Sequence, residues 1–416
     1  MTEASSPDIV DKLSVTGYLT GSRSMKILFV NHTGIVSGAE RVLLTILDHL
    51  DRERFEPTVS CPLGSDLANL VRERNVPVVA TPDLQARFTW NPIRMVQYFR
   101  SYLDAIREFR RAPFLKAATL IHANSVRAGL VASFATTGTG MPVIWHLHDM
   151  MKPHPFSTTI RWVALFAPTV SVLAVSHAAA KQFRGSLLRF TGNRPFIQVL
   201  HNSIDSERFR PDPAGRRSVR QALGLTDAQF TAAIVGQLTP RKGQLETIEA
   251  MSDVVKNVPG AVLLVVGAPL FNDDQRYLAR LQSAVAQLGL RGKVFFLGQR
   301  SDINALLAAT DAVVINSHRE PFGLIVLEAL AAVKPVVAAA VDGVVEVVED
   351  GVTGLLVPPG NRKALASALI RLAGDRQLRE SLAVCGRAAI EKNFTCERYI
   401  QSLEAFYDRT ALRPRP

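Results

Sequence analysis

What the sequence lacks narrows its class first. No apolar run approaches the ~20 residues that a membrane-spanning helix needs. The longest candidate, VALFAPTVSVLAVS at 163–176, is broken by Pro168 and reads as a helix end followed by a buried strand. Only three cysteines are present, Cys61, Cys385 and Cys396, far apart, with no C-x-x-C and too few histidine neighbours for a metal cage. A disulfide framework is therefore excluded, and a reducing, cytoplasmic setting is expected. Low-complexity segments, short-period repeats and a heptad seam are absent, which removes the fibrous and coiled-coil classes. The first 24 residues carry Glu3, Asp8 and Asp11 and no apolar stretch of the kind a secretory signal has. They are expected to form a disordered extension, with the fold starting at Met25.

What is there is an ordinary globular composition, 47% apolar and 20% charged. At roughly 100–200 residues per domain, a chain of 416 residues suggests two domains. Lysine and arginine total 48 against 37 acidic residues, a formal charge of +11, and the excess is local. Residues 87–194 hold 14 Lys and Arg but only Asp104, Glu108 and Asp149 as acids, so the whole surplus lies there. A basic block suits nucleic acid, an anionic membrane surface or an acidic small molecule. No recognised nucleic-acid-binding pattern accompanies it, which disfavours the first. Within the block, residues 87–116 put Val96, Phe99, Leu103 and Ile106 on one helical face. Arg100, Arg107, Arg110 and Arg111 interleave there with Trp90, Tyr98, Tyr102 and Phe109. Such a helix fits either an anionic bilayer surface or a core-facing position with a solvated basic side.

Hydrophobic periodicity alternates between short apolar runs and helical spacing. KILFV at 26–30 precedes the loop NHTGIVSG and then AERVLLTILDHL, whose Val42, Leu43, Ile46, Leu47 and Leu50 recur at helical spacing. The runs at 57–63, 76–81, 120–124, 142–149, 173–176 and 196–204 continue the series, with helices from about Asp66, near 92–111 and after Ser176. Strands alternating with helices predict an α/β fold with a doubly wound parallel sheet. Residues 205–228, rich in Pro, Arg, Asp and Gly, break the rhythm and are predicted to be a linker. A second series of the same kind runs from FTAAIVGQL at 230–238 to GLLVPP at 354–359. The domains expected are thus 25–205 and 206–395. A final helix at 396–409, with Tyr399, Leu403 and Phe406 on one face, is expected to pack back on the first domain. In such sheets ligands bind beyond the carboxyl ends of the strands, where loops meet helix N-termini, and two facing domains leave a cleft.

The most specific segment is SHREPFGLIVLEALAA at 317–332, which follows the strand AVVIN and runs into a helix. Glu320 in the loop and Glu328 on the second helical turn can face one ligand, and carboxylates accept paired hydroxyl donors well. The amides of Phe322, Gly323, Leu324 and Ile325 at the helix start suit a phosphate. VGQLTPRKGQ at 235–244 adds Arg241 and Lys242 at another strand end, where positive charge opposes the helix dipole unless an anion binds. In NHTGIVSGAERV at 31–42, Gly34 and Gly38 permit close backbone approach before a helix start. WHLHDM at 145–150 puts His146 and His148 on the same face of a strand end, with Asp149 placed to orient one of them. His122 and Asn124 end the neighbouring strand.

Glu320-x7-Glu328 with an interior Phe-Gly, supported by the other three segments, resembles glycosyltransferase family 4 over residues 25 to about 410. That resemblance implies a GT-B fold, two Rossmann-like domains across a cleft, and a retaining enzyme using a nucleotide-diphosphate sugar. It implies His148, Glu320 and Lys242 as catalytic residues. Gly38, Arg241, Lys242, Glu320, Phe322, Gly323, Leu324, Ile325 and Glu328 would bind the donor. Gln237 stands where the family usually has arginine, and Asp342 occupies the first glycine position of its Gly-Gly-x-x-Glu region. Gly343 and Gly354 read as structural there, and Glu346 as a helix-start acid. No Asp-x-Asp occurs, in keeping with a metal-independent reaction without further cofactor. The leaving diphosphate would be stabilised by Lys242, Arg241 and helix-start amides in a front-face reaction. The acceptor would be a glycan, lipid-linked or small molecule of cell-envelope or exopolysaccharide synthesis, handled on the inner face of the membrane, with no nucleic acid partner. Competing readings are an epimerase or phosphorylase on the same fold, and a non-catalytic, membrane-associated nucleotide-sugar-binding protein.

Overall fold

The computed structural model describes residues 24–81, 91–151, 154–167, 169–185, 196–269 and 272–412. The expected N-terminal extension up to residue 23, Trp90 and part of the basic block lie outside the described residues. The first sheet comprises β1 (Met25–Val30), β2 (Phe55–Cys61), β3 (Val78–Ala80), β4 (Leu120–Ala123), β5 (Val143–Leu147), β6 (Val170–Ala174) and β7 (Phe196–Val199). All pair in parallel, in the order β3-β2-β1-β4-β5-β6-β7. Between them run α1 (Gly38–His49), α2 (Asp66–Arg72), α3 (Pro92–Arg111), α4 (Pro113–Ala117), α5 (Val126–Ala135), α6 (Pro155–Phe166) and α7 (His177–Arg184).

The second sheet has six parallel strands, β8 (Thr231–Val235), β9 (Val262–Val266), β10 (Val294–Gly298), β11 (Ala312–Ile315), β12 (Val336–Ala339) and β13 (Gly354–Val357), in the order β10-β9-β8-β11-β12-β13. Its helices are α8 (Pro213–Ala222), α9 (Gln244–Asn257), α10 (Asn272–Gln287), α11 (Ile303–Ala309), α12 (Leu324–Ala331), α13 (Arg362–Gly374) and α14 (Arg376–Asn393). In each sheet the winding reverses between the first and the fourth strand, β1 and β4 or β8 and β11, and crevices open at such reversals. The loops that follow these four strands carry Gly38, Asn124, Lys242 and Glu320, and His148 follows β5, the next strand along.

The last helix, α15 (Cys396–Ala411), leaves the second domain and buries Tyr399, Leu403, Phe406 and Tyr407 among residues of β1, β2 and α1. Arg54 fixes its outer side, at 3.0 Å from Glu404 and 2.8 Å from Asp408. Where the chain crosses between domains, Ile204 bridges Thr395, so two segments make the junction.

Three features differ from the sequence-based expectation. Residues 205–228 are not a plain linker: Asp212 caps α8 through the Gly215 amide at 2.8 Å, and Pro213 opens the helix. The helix α5 left no amphipathic signal because it is apolar nearly all round, and Gly129 sits hard against Trp145. On α3 the expected apolar row divides. Ala105 and Phe109 are buried and Leu103 and Ile106 half-buried, whereas Val96 and Phe99 are 54% and 65% exposed.

The charge in α8 explains why a Pro- and Arg-rich segment folds. Arg220 is buried, with Nη1 donating to Ala309 O at 2.8 Å and Thr231 Oγ1 at 3.1 Å, Nη2 to Gln229 O at 2.7 Å, and Asp311 at 3.7 Å. These bonds tie α8 to the end of α11 and the start of β8. Removing one member of a buried charged network leaves the others uncompensated, at about 3–5 kcal/mol. Arg220→Met is therefore expected to destabilise the second domain by that much, read as a lower urea midpoint, while Arg217→Met, three positions away and exposed, changes its stability by no more than about 0.5 kcal/mol.

Candidate active site

The shortest ion pair among the described residues sits at the winding reversal of the second sheet. Beyond β8 the chain makes a 3₁₀ turn at Pro240–Lys242, and Gly243 then caps α9 in the left-handed region, φ 69°. A Cβ at Gly243 would lie 2.0 Å from Asn316 O, so no other residue lets this turn touch the end of β11. That contact brings Lys242 Nζ to 2.5 Å from Glu320 Oε2. Ser317 Oγ donates to the same oxygen at 2.9 Å. Burial pushes the Glu320 carboxyl up, but the Lys242 ammonium, with Arg241 and Ser317, outweighs it and holds the group below its ordinary value. Arg241 is exposed and donates to Arg319 O at 3.0 Å. Arg241 and Lys242 thus precede α9 rather than filling its first turn, and the anion already present for Lys242 is Glu320.

The loop before α12 is held by Asp342. Its carboxylate accepts from Arg319 Nε at 2.8 Å and from the Glu320 amide at 3.1 Å. Asp342 itself has φ 40°, the left-handed conformation, which aspartate tolerates better than most side chains. The departure from glycine at this position therefore preserves the backbone and adds two bonds. Helix α12 begins at Leu324, after Gly323 at φ 88°. Leu324 and Ile325 are its half-buried first residues. Phe322 is buried instead, with its ring against His201 at 5.4 Å.

Across the cleft the first domain presents the start of α1. Its Gly38 faces α12 closely: a Cβ there would meet Leu324 Cδ1 at 3.7 Å. Arg41, one turn on, reaches Glu328 Oε1 at 3.4 Å. Burial raises the Glu328 carboxyl, and Arg41 and Arg208 only partly offset it. Two helix N-termini thus confront each other, each a favourable place for an anion. Arg41 was missed in the sequence because its role depends on a partner 287 positions away.

His148, half-buried just past β5, ends a chain of side-chain bonds. Its Nε2 lies 2.9 Å from Asn124 Oδ1, and Asn124 Nδ2 donates to Asn31 Oδ1 at 2.9 Å and to Ala39 O at 3.2 Å. Asn31 in turn donates to Glu40 at 3.1 Å, and Glu40 accepts from the Ser37 amide at 2.9 Å. Asn124 spends its nitrogen on donation, so its oxygen accepts and His148 carries its proton on Nε2. Nδ1 is then an acceptor. The expected orienting role of Asp149 falls to Asn124, and Asp149 is exposed. His146 and His122 do not line the cleft. Both are fully buried, with His122 bonded to His146 at 3.1 Å and to the Tyr407 hydroxyl at 2.7 Å. Glu346 starts no helix of its own: it accepts the His177 and Ala178 amides of α7, each at 2.8 Å, across the domain boundary.

Burial holds His148 and His122 down to about 3 and His146 well below the ordinary histidine value, with repulsion from His148 adding to the last two. All three are neutral near pH 7. Between about pH 6.5 and 3 the unfolded chain binds protons that the native site refuses, so stability falls on acidification, by up to about 1.4 kcal/mol per pH unit for each histidine. Urea midpoints measured from pH 7 to 4.5 are expected to drop accordingly. His146→Leu should remove about one proton from that dependence, whatever it does to absolute stability; an unchanged slope would refute the buried neutral state.

Two family models match nearly the whole described fold: Glycosyltransferase Family 4 over residues 36–208 and Glycosyl transferases group 1 over 215–390. D-inositol 3-phosphate glycosyltransferase of Actinosynnema mirum is 31% identical over 69% of this chain and 72% of its own length. The Escherichia coli UDP-Gal:alpha-D-GlcNAc-diphosphoundecaprenol alpha-1,3-galactosyltransferase is 24% identical over 92% of this chain and 96% of its own. Among solved structures, Anabaena Alr3699/HepE in complex with UDP and glucose superposes with a TM-score of 0.77 at 30% identity, covering 92% of this chain and 99% of that one. The paired parallel sheets are those of the GT-B architecture, and the chain belongs to glycosyltransferase family 4.

Proposed function

We propose that this glycosyltransferase moves a sugar, with retention, from a uridine-diphosphate sugar to an acceptor that carries phosphate, in the synthesis of cell-envelope or exopolysaccharide glycans. The observation that carries the reading is the Lys242–Glu320 pair, a half-buried ammonium 2.5 Å from a buried carboxylate beside the α12 start. A leaving diphosphate there meets the Lys242 ammonium, Arg241 and first-turn amides, while Glu320 is ionised and ready to accept sugar hydroxyls. Glu328 suits ribose hydroxyls. The sugar–phosphate C–O bond breaks, a diphosphate oxygen takes the acceptor's proton, and the acceptor oxygen bonds the anomeric carbon on the same face. His148 Nδ1 accepts a hydroxyl of the transferred sugar. No metal or further cofactor is invoked in this scheme. UDP and glucose bound to the Anabaena neighbour, and UDP-Gal in the name of the Escherichia coli relative, support uridine as the base.

Two relatives are named for acceptors bearing phosphate, inositol 3-phosphate and a diphosphoundecaprenol, which suits the basic surplus of residues 87–194. The same domain exposes Ile93, Val96 and Phe99 on α3 and Phe156, Trp162 and Phe166 on α6, with Trp162 and Phe166 stacked at 5.1 Å. No helix of the described residues is long and apolar enough to cross a membrane. Exposed aromatics among arginines favour peripheral binding to an anionic bilayer on the cytoplasmic side, where a lipid-linked acceptor would be met.

A thermal-shift screen of UDP-, GDP- and ADP-sugars tests the donor: a ligand at 100 times its Kd adds roughly 2.7 kcal/mol of stability, and UDP-sugars are expected to shift the transition most. Lys242→Ala and Glu320→Ala should each cut transfer at least ~100-fold while leaving the fold intact; near-wild-type turnover by either overturns the donor assignment. Product analysis separates transfer from epimerisation and phosphorolysis, which would release free sugar or require phosphate.

Cosedimentation tests the membrane face. The full chain is expected to pellet with phosphatidylglycerol vesicles and not with phosphatidylcholine, and Phe99→Ser with Phe166→Ser to weaken that binding several-fold. Equal binding to both vesicles, or to neither, counts against it.

A further inference from the structure

We propose that His177, His201 and Glu346 form a binding site for a divalent transition metal of zinc type that ties the two domains together. Among the described residues these side chains are the group of three potential ligands close enough to share an ion, their ligand atoms all within 4.8 Å of one another. Two imidazoles and one carboxylate, with water in the fourth position, make a donor set that suits zinc. Tetrahedral bonds of about 2.0–2.1 Å place ligand atoms about 3.3 Å apart, so the cluster must close by roughly 1.5 Å at most. His177 is exposed, and its ring can turn by that amount.

The remaining two ligands are held in place. His201 Nε2 lies 2.8 Å from Glu346 Oε2, so a metal would enter where the two now share a proton. The His201 ring stacks on Phe322, and the Glu346 carboxylate is oriented by the His177 and Ala178 amides at 2.8 Å each. Outer bonds of this kind fix first-sphere ligands. The His177 and His201 rings meet edge to face at 74° with centroids 5.8 Å apart, an arrangement that directs a ring edge into the space between them. None of the three belongs to the proposed donor site, so the inference does not depend on that reading.

The bond would be a cross-link. His177 opens α7 and His201 follows β7, both in the first domain, whereas Glu346 follows β12 in the second. An ion there would set the angle between the domains at a contact that already includes Ser176 Oγ donating to Pro321 O at 2.6 Å.

The test is titration of the chelator-treated full chain with Co²⁺, read by its visible d–d absorption. One saturable equivalent with the intensity of a tetrahedral site is expected, abolished by Zn²⁺, and Zn²⁺ should raise the unfolding temperature. His177→Ala keeps the backbone amide that Glu346 caps and removes only an exposed ring, so it should fold and bind Co²⁺ at least about tenfold more weakly. Cys385→Ser, which removes an exposed competing thiol, should bind as the wild type does. Absence of a saturable band, or a His177→Ala affinity within twofold of wild type, overturns the proposal.

Discussion

A carboxylate buried as deeply as Glu320 survives ionised only beside a cation, and much of the second domain is arranged to supply one. Lys242 reaches it because Gly243 lets the turn after β8 press on the end of β11. The strands are neighbours because the sheet reverses its winding between them. Topology, one glycine and one ion pair therefore form a single device. Neither charge is free: each holds the other in place, and on the donor reading proposed above the ammonium would meet a phosphate and the carboxylate sugar hydroxyls. An anionic ligand then competes for Lys242 with a partner already in place, which limits the attraction to ligands that offer both groups.

The two domains are joined by polar contacts as well as by a hydrophobic cluster that takes in buried residues of both, Ala179 and Val344 among them. Arg41 meets Glu328, Ser176 meets Pro321, and Glu346 caps α7. Each contact pairs a loop or helix start of one domain with the other. A further apolar attachment comes from α15, which buries Tyr399, Leu403 and Phe406 in the first domain after leaving the second.

Much of this was legible in the sequence. Alternating strand and helix periods predict both parallel sheets, and the Glu320, Lys242 and Gly38 segments fall at the strand ends where the winding reverses, with His148 past β5, one strand further along. Local signals failed where the physics was not local. The helix α5 is apolar nearly all round, so it has no polar stripe to reveal it. Residues 205–228 read as a linker because arginine and proline are loop-like in composition, yet Arg220 is buried by carbonyls that come from other elements. The partner of His148 was misassigned to Asp149 because adjacency in sequence outweighed the neighbouring strand, which supplies Asn124.

The two departures from the family pattern have different physical weight. Asp342 replaces glycine where the backbone is left-handed, and its carboxylate then binds both Arg319 and the Glu320 amide. The exchange accepts some backbone strain and ties down the loop that carries the buried acid. Gln237 brings no charge to a site whose family counterpart is usually arginine. Arg241 is exposed and donates to Arg319 O at 3.0 Å, and its charge acts on Glu320 without a direct ion-pair contact. The cation held in place is Lys242, against Glu320. A phosphate that binds this site would be ordered chiefly by Lys242 and the α12 start, with Arg241 adding charge rather than geometry.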